Sequence, residues 1–234
     1  MVFCFLYSTF SFGQSNAIVN GDFEMGDLSG WSSMVSGDAA GWNINDGSYV
    51  GLCVSNGPLS LRPPIAGNYD VISDQTGPGM NLLSSVFSIP SPLTNAVISW
   101  DMLYDNSQSV GIPPFQDPNQ EFRVMLLDAS MMPIAEVWST DTGDPLQVLS
   151  PLHIEENLLN DLAGMEGQMA YLLFQEDDDM GCFNVVLDNV SLVFNARPIP
   201  TLSIWGVIIS TLLIIIFSVV QLQQKQVQYL RKYI

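Results

Sequence analysis

Positive charge is almost missing from the first 196 residues of this chain. Arg62 and Arg123 are the basic side chains there, against 24 acidic ones, a formal −22. Such a field repels phosphate backbones and argues against nucleic acid as a partner. Histidine is as scarce: His153 is the single one, so no three-histidine zinc site can be built. In "SPLHIEEN" it has no nucleophile at a recognisable spacing and reads as a surface residue. No phosphate-cradling glycine loop or dinucleotide fingerprint is present. Carboxylates are abundant, but abundance does not make a glycosidase pair. Between Asn16 and Asn195 there is also no internal repeat, no low-complexity linker and no long amphipathic helix; "EENLLNDLAG" offers a helical turn or two. The length of that part fits one domain.

Charge of either sign is missing between Arg197 and Lys225. Leu202 to Leu222 is a run of mostly Leu, Ile, Val and Phe, and as a helix its 21 residues span about 31 Å, close to a hydrocarbon thickness of roughly 30 Å. Residues 202–222 are therefore expected to form a transmembrane helix. Lys225, Arg231 and Lys232 follow it. By the positive-inside rule the tail, 223–234, lies in the cytoplasm and the acidic part outside, with Trp205 near the outer interface. At the other end, "MVFCFLYSTFSFGQSNA" has a short apolar run, then small residues at Ser11 and Gly13, the spacing accepted by signal peptidase before Gln14. Residues 1–13 read as the remnant of a signal peptide, although no Lys or Arg precedes the run; a short buried strand is the alternative. With Cys4 in that leader, Cys53 and Cys182 remain, an even pair in an oxidising compartment that suggests one disulfide. Two buried free thiols are the alternative, since spacing does not show proximity.

What fills residues 14–196 is strand pattern and turn. In "NAVISWDMLY", Ala96, Ile98, Trp100, Met102 and Tyr104 share one face; in "EFRVMLLD", Phe122, Val124 and Leu126 oppose Glu121 and Arg123. "AYLLFQE" and "FNVVLDNVSLVF" are apolar enough for buried strands. Turn clusters such as "SNGP", "QTGPG", "GIPPFQDPNQ" and "TDTGDP" separate them. "EDDDMG", Glu176 to Gly181, reads as a further solvated turn and does not match an EF-hand loop. The expectation is an all-β, antiparallel sandwich.

Two stretches carry a resemblance. "AIVNGDFEMGDLSGW", Ala17 to Trp31, resembles the opening of galactose-binding-like jelly rolls, the sandwich used by many carbohydrate-binding modules. "GCFNVVLDNVSLVF", Gly181 to Phe194, resembles their closing strand. The resemblance implies a jelly-roll ectodomain and, in many of its members, a structural calcium ion held by a Glu of the opening motif and an Asp of the closing one. Those positions are Glu24 and Asp188. Asp188 falls on the face of Val186, Val190, Leu192 and Phe194 if the strand is regular, so its carboxylate is expected toward the interior, where it needs a partner. Calcium would serve; backbone hydrogen bonds or a rim position are the alternatives. The closing "IPTLSIWG", within 197–206, resembles the IPTL-CTERM class of sorting tails, through Ile199, Pro200, Thr201, Leu202, Ser203, Trp205 and Gly206. Ile204 stands where that class usually has Glu, and the basic residues are spread out rather than clustered. The resemblance implies processing by an exosortase-type membrane transpeptidase. Pro198 and Pro200 fit it, since they disfavour helix and keep the segment extended.

The function expected is that of a non-catalytic exported surface or extracellular-matrix protein, anchored and sorted through its tail. A carbohydrate-binding module is the alternative, and a carbohydrate-active enzyme the third reading. For glycan binding, exposed aromatic faces beside polar groups are needed. Trp42 in "AAGWNINDG" and Trp138 in "AEVWSTDTGD" are the candidates, with burial in the core as the competing reading for each; Trp31 and Trp100 read as core.

Overall fold

The computed structural model describes residues 12–13, 16–51, 57–106, 115, 120–179, 181–194, 197–198, 208, 211–217 and 219. The chain divides into two compact units, Gln14–Asn195 and a second made of Met1–Gly13 with Ala196–Ile234. In the second unit β1 (Phe12–Gly13) pairs antiparallel with β10 (Arg197–Pro198), so the chain around Pro198 is extended. Residues 208, 211–217 and 219 are helical and exposed. Among the described residues no helix is long and apolar enough to cross a membrane. The expected sorting motif, Ile199 to Gly206, most of 202–222 and the whole of 223–234 lie outside the described residues, as does the expected leader up to Ser11.

The larger unit is an antiparallel jelly-roll sandwich. Its strands are β2 (Ser32–Asn45), β3 (Asp70–Ser88), β4 (Ala96–Asp105), β5 (Gln120–Asp128), β6 (Pro133–Ser139), β7 (Gln147–Asn157), β8 (Met169–Asp178) and β9 (Asn184–Phe194). They run in the order β6-β5-β8-β3-β9-β4-β7, with β2 on the flank of β3. The 19-residue β3 belongs to both layers: Gly79–Ser88 pairs with β8, while Val71 and Ile72 pair with β9. One continuous sheet thus folds over at β3 into a front layer (β6-β5-β8-β3-β2) and a back layer (β7-β4-β9-β3-β2). The corner is built from glycine. A Cβ on Gly37 of β2 would stand 2.3 Å from the Pro78 carbonyl oxygen, and Gly37 has φ +63°. Only glycine accepts that conformation and that approach.

Between the layers lies an aromatic core. Trp100 from the back layer meets Phe174 from the front at 6.0 Å, edge to face, and Phe174 stacks on Phe122 at 6.1 Å. The period-two faces expected of "NAVISWDMLY" and "EFRVMLLD" are both found there: Ala96, Ile98, Trp100, Met102, Tyr104, Phe122, Val124 and Leu126 are all buried in it. "EENLLNDLAG" gives one helical turn, in which the Leu162 amide donates to the Leu158 carbonyl at 3.0 Å. "EDDDMG" departs from expectation: its first three residues finish β8, and the alternation carries Glu176 and Asp178 inward, where both are buried.

A single irregularity reorients β9. Val185 and Leu187 point into the main core, and so do Val190, Leu192 and Phe194, an odd run followed by an even one. Asn189, at φ +52°, absorbs the extra residue, opposite a register shift between Ser99 and Asp101 of β4. This bulge puts Asp188 on the outer side with Val186 instead of in the interior. There Val186 joins Ile72, Leu103 and Leu59 in a small second cluster, against which Tyr49 and Ile65 pack.

Candidate functional site

The loop at residues 65–70 gathers the carboxylates singled out in the opening and closing motifs. Glu24 accepts hydrogen bonds from the backbone N–H groups of Asn68 (2.7 Å) and Tyr69 (3.1 Å) and from the Asn68 side-chain amide (2.9 Å). These bonds hold its carboxyl below the usual range. Asp188 accepts from the amides of Ala66 (2.9 Å) and Asn189 (2.7 Å), while burial pushes it up to about 7. Gly67 is required between them, because a Cβ there would stand 2.1 Å from a Glu24 oxygen. Asp70, next along, is buried and receives Arg62 at 2.5 Å together with the Ile65 amide. The pair therefore does meet on one loop, but through N–H donors. Among the described residues no three acidic, histidine or cysteine side chains gather as a metal-holding set. As arranged, Glu24 and Asp188 staple this loop through its N–H groups.

Of the two tryptophans expected to stack, Trp42 offers no open ring, while Trp138 stays partly exposed. Trp42 is 4% exposed and sits in the main core, since β2 continues through its glycines and places Trp42 on the inner face opposite Ser73. Trp138 is half-buried on β6, its ring edge-on to Trp100 at 6.4 Å and 6.1 Å from Phe122. Trp42 is a core residue, and Trp138 packs against the core with part of its ring left exposed. Cys182 is disulfide-bonded; Cys53 lies outside the described residues.

The front layer's outer face is unusually apolar for a strand face turned away from the core. An antiparallel sheet with one face in solvent ordinarily shows polar residues there. In this layer the outward positions are Leu82 and Val86 on β3, Tyr171 and Leu173 on β8, and Met125 and Leu127 on β5, the neighbours in sequence of the core residues Leu83, Phe87, Leu172, Phe174, Val124 and Leu126. The register sets them in rows across the strands. Tyr171 lies between Val86 and Leu127, Leu173 between Ser84 and Met125, and Gln175 between Leu82 and Arg123. Leu127 and Leu173 are 5% and 7% exposed yet belong to neither core cluster, whereas Val86 is 46% exposed and Tyr171, Met125 and Leu82 are partly so.

At one end this apolar mosaic meets a planar polar group. Arg123 reaches Glu121 at 2.9 Å and Asp177 at 3.3 Å, and the Gln175 amide donates to Asp177 at 2.6 Å. Burial raises Asp177, opposed by Gln175 and then Arg123. A partly exposed aromatic ring, aliphatic neighbours and a row of guanidinium, amide and carboxylate thus lie side by side on this face. The alternation of "AYLLFQE" and "EFRVMLLD" held part of this: the second face of each strand is apolar over Tyr171 and Leu173 and over Met125 and Leu127, and polar at Gln175, Glu121 and Arg123.

A concavity of about 470 Å³ lies over the back layer and is lined by Asn16, Asn20, Asp22, Ser99, His153 and Asn189 among others. Its amides are already spent. Asn16 bonds the backbone of Val190, Ile18 and Leu192; Asn20 bonds Asp27 and Met25; Asn189 donates to Asp101 at 2.8 Å. His153 is exposed, as expected, with Nδ1 2.7 Å from Asp101. No aromatic ring lines this groove among the described residues.

No family model and no curated protein matches the chain. Solved structures do. One is a carbohydrate-binding module, TmCBM61 in complex with β-1,4-galactotriose: 16% identity, 76% of this chain and 97% of that one, TM-score 0.45. Another is the K1 cleaved adhesin domain of Lys-gingipain from Porphyromonas gingivalis W83: 16% identity, 80% and 99%, TM-score 0.42. The chain also spans 21% of the bacteriophage CBA120 tailspike protein 4 enzymatically active domain, at 11% identity over 76% of its own length and TM-score 0.44. At these values function is read from this chain's own residues.

Proposed function

We propose that the sandwich is a carbohydrate-binding module that acts without catalysis and works outside the cell. The observation that carries this reading is the outer face of the front layer, where Tyr171 stands among Val86, Leu127, Leu173 and Met125 beside the Arg123–Asp177–Gln175 row. The apolar hydrogens of a sugar ring pack on such an aromatic surface while its hydroxyls meet the planar polar groups. Glu121 and Asp177 are both engaged by Arg123, which suits binding better than proton transfer or nucleophilic attack. Affinity electrophoresis of the full chain through a panel of polysaccharides tests the site. Retardation by at least one polymer is expected, with Tyr171→Ala weakening it about tenfold or more and Trp138→Ala acting through stability instead. Equal retardation of wild type and Tyr171→Ala would remove this face from consideration.

The tail supports the second half of the proposal. "IPTLSIWG" ahead of an uncharged apolar run and scattered basic residues suits an exported protein held in the cytoplasmic membrane and then cut by an exosortase-type transpeptidase. The expected result is a protein that, recovered from the medium or cell surface of its own host, has an intact mass lacking everything beyond the region of Ile199 to Gly206. A full-length C-terminus in every fraction would make the segment a plain anchor.

A further inference from the structure

Both cations of the sandwich are already neutralised. Arg62 is bound by Asp70, at 2.5 Å, beside the loop at 65–70. Arg123, the cation of the proposed binding face, lies against Glu121 and Asp177 together, so the local sum there is negative. Around them residues 1–196 carry 24 acidic side chains and no further Lys or Arg. A carboxylate or sulfate group brought to this face would find a guanidinium whose charge is more than matched, inside a strongly negative field. It would have to displace a carboxylate from Arg123 to gain an ion pair.

We propose that the face selects uncharged glycans and rejects acidic ones, and that Glu121 and Asp177 set this selectivity by holding Arg123 as a neutralised hydrogen-bond donor. The inference rests on the reading of the face as a glycan site. Arg123 still presents N–H groups to sugar hydroxyls, fixed in orientation by its two carboxylates, while offering no net charge to a uronic acid or a sulfate ester.

The test uses the full chain with neutral polymers (a β-glucan, a galactan and a mannan) and with polygalacturonate and alginate. Expected is binding of at least one neutral polymer, lost in Tyr171→Ala and unchanged between low salt and about 0.5 M sodium chloride, where the Debye length falls below roughly 5 Å. The acidic polymers should bind at least tenfold more weakly. In the double variant Glu121→Gln, Asp177→Asn, polygalacturonate affinity should rise at least tenfold and become salt-sensitive. Should that variant not fold, the wild-type panel decides. Tyr171-dependent binding of polygalacturonate as tight as that of any neutral polymer would overturn the selectivity while leaving the site in place. No affinity gain in a folded double variant would likewise overturn it. Binding of no polymer at all would overturn the site itself, and the selectivity with it.

Discussion

Phe174→Ala is expected to cost about 3–5 kcal/mol of stability. The ring is fully buried and touches both layers: it stacks on Phe122 at 6.1 Å with planes 9° apart, meets Trp100 of the back layer at 6.0 Å, and meets Trp31 of the opening loop at 6.0 Å. Removing it leaves a cavity that three rigid rings, anchored on three separate segments, cannot collapse to fill. For a domain of this size each kcal/mol moves the melting temperature by roughly 2–4 °C, so a fall on the order of 10 °C is expected in a thermal melt, with a matching drop in the urea midpoint. Leu173→Ala, one residue away on the opposite face, should cost clearly less. Equal losses would mean that the outer face is as tightly packed as the core, and the binding-face assignment would fail with it.

The second large effect is on pH. Glu176 lies inside the sandwich, fully buried, and burial pushes its carboxyl up to about 8; Asn81 (3.2 Å) and Ser73 oppose this, and the negative charges of Asp178 and Asp74 add to it. Its folded value stands above the ordinary 4.5, so between about 4.5 and about 8 the folded protein holds a proton that the unfolded chain has released. Stability therefore falls as pH rises through that window and levels off above it. Asp188, pushed up to about 7, acts in the same direction over a narrower range. At about 1.4 kcal/mol per tenfold change in proton affinity, Glu176 by itself accounts for on the order of 5 kcal/mol lost by pH 9. The wild type should melt at a clearly higher temperature near pH 5.5 than near pH 9. Glu176→Gln keeps the size and the neutral state, so it should flatten the slope and raise stability at pH 9 while changing little at pH 5.5. A variant as pH-dependent as wild type, or less stable at pH 9, would refute the assignment of this slope to Glu176.

Glu176 also shows where reading the chain as a string fails. "EDDDMG" has the composition of a solvated turn, yet β8 runs on through its first three residues, and a strand turns alternate side chains inward whatever their polarity. The carboxyl is tolerated because burial favours its neutral form and the Asn81 amide donates a hydrogen bond to it. Trp42 went the other way, from a polar, glycine-rich setting into the core, since the glycines serve a corner of β2 rather than an end to it.

Local pattern determined the class of fold here. Period-two alternation in "NAVISWDMLY" and "EFRVMLLD", turn residues between strands and the lack of any long amphipathic segment led to an antiparallel sandwich, because side-chain alternation is a property of the strand itself. Composition likewise set the negative charge and the scarcity of cations. Tertiary structure decided the rest. One extra residue at Asn189 moved Asp188 out of the interior and under the loop at 65–70, and the sharing of β3 between two layers chose which apolar face of β5 and β8 became core. Those outcomes depend on which strands lie across from one another, and pairing between residues as distant as Leu82 and Gln175 is a matter of register that no neighbouring stretch of sequence encodes.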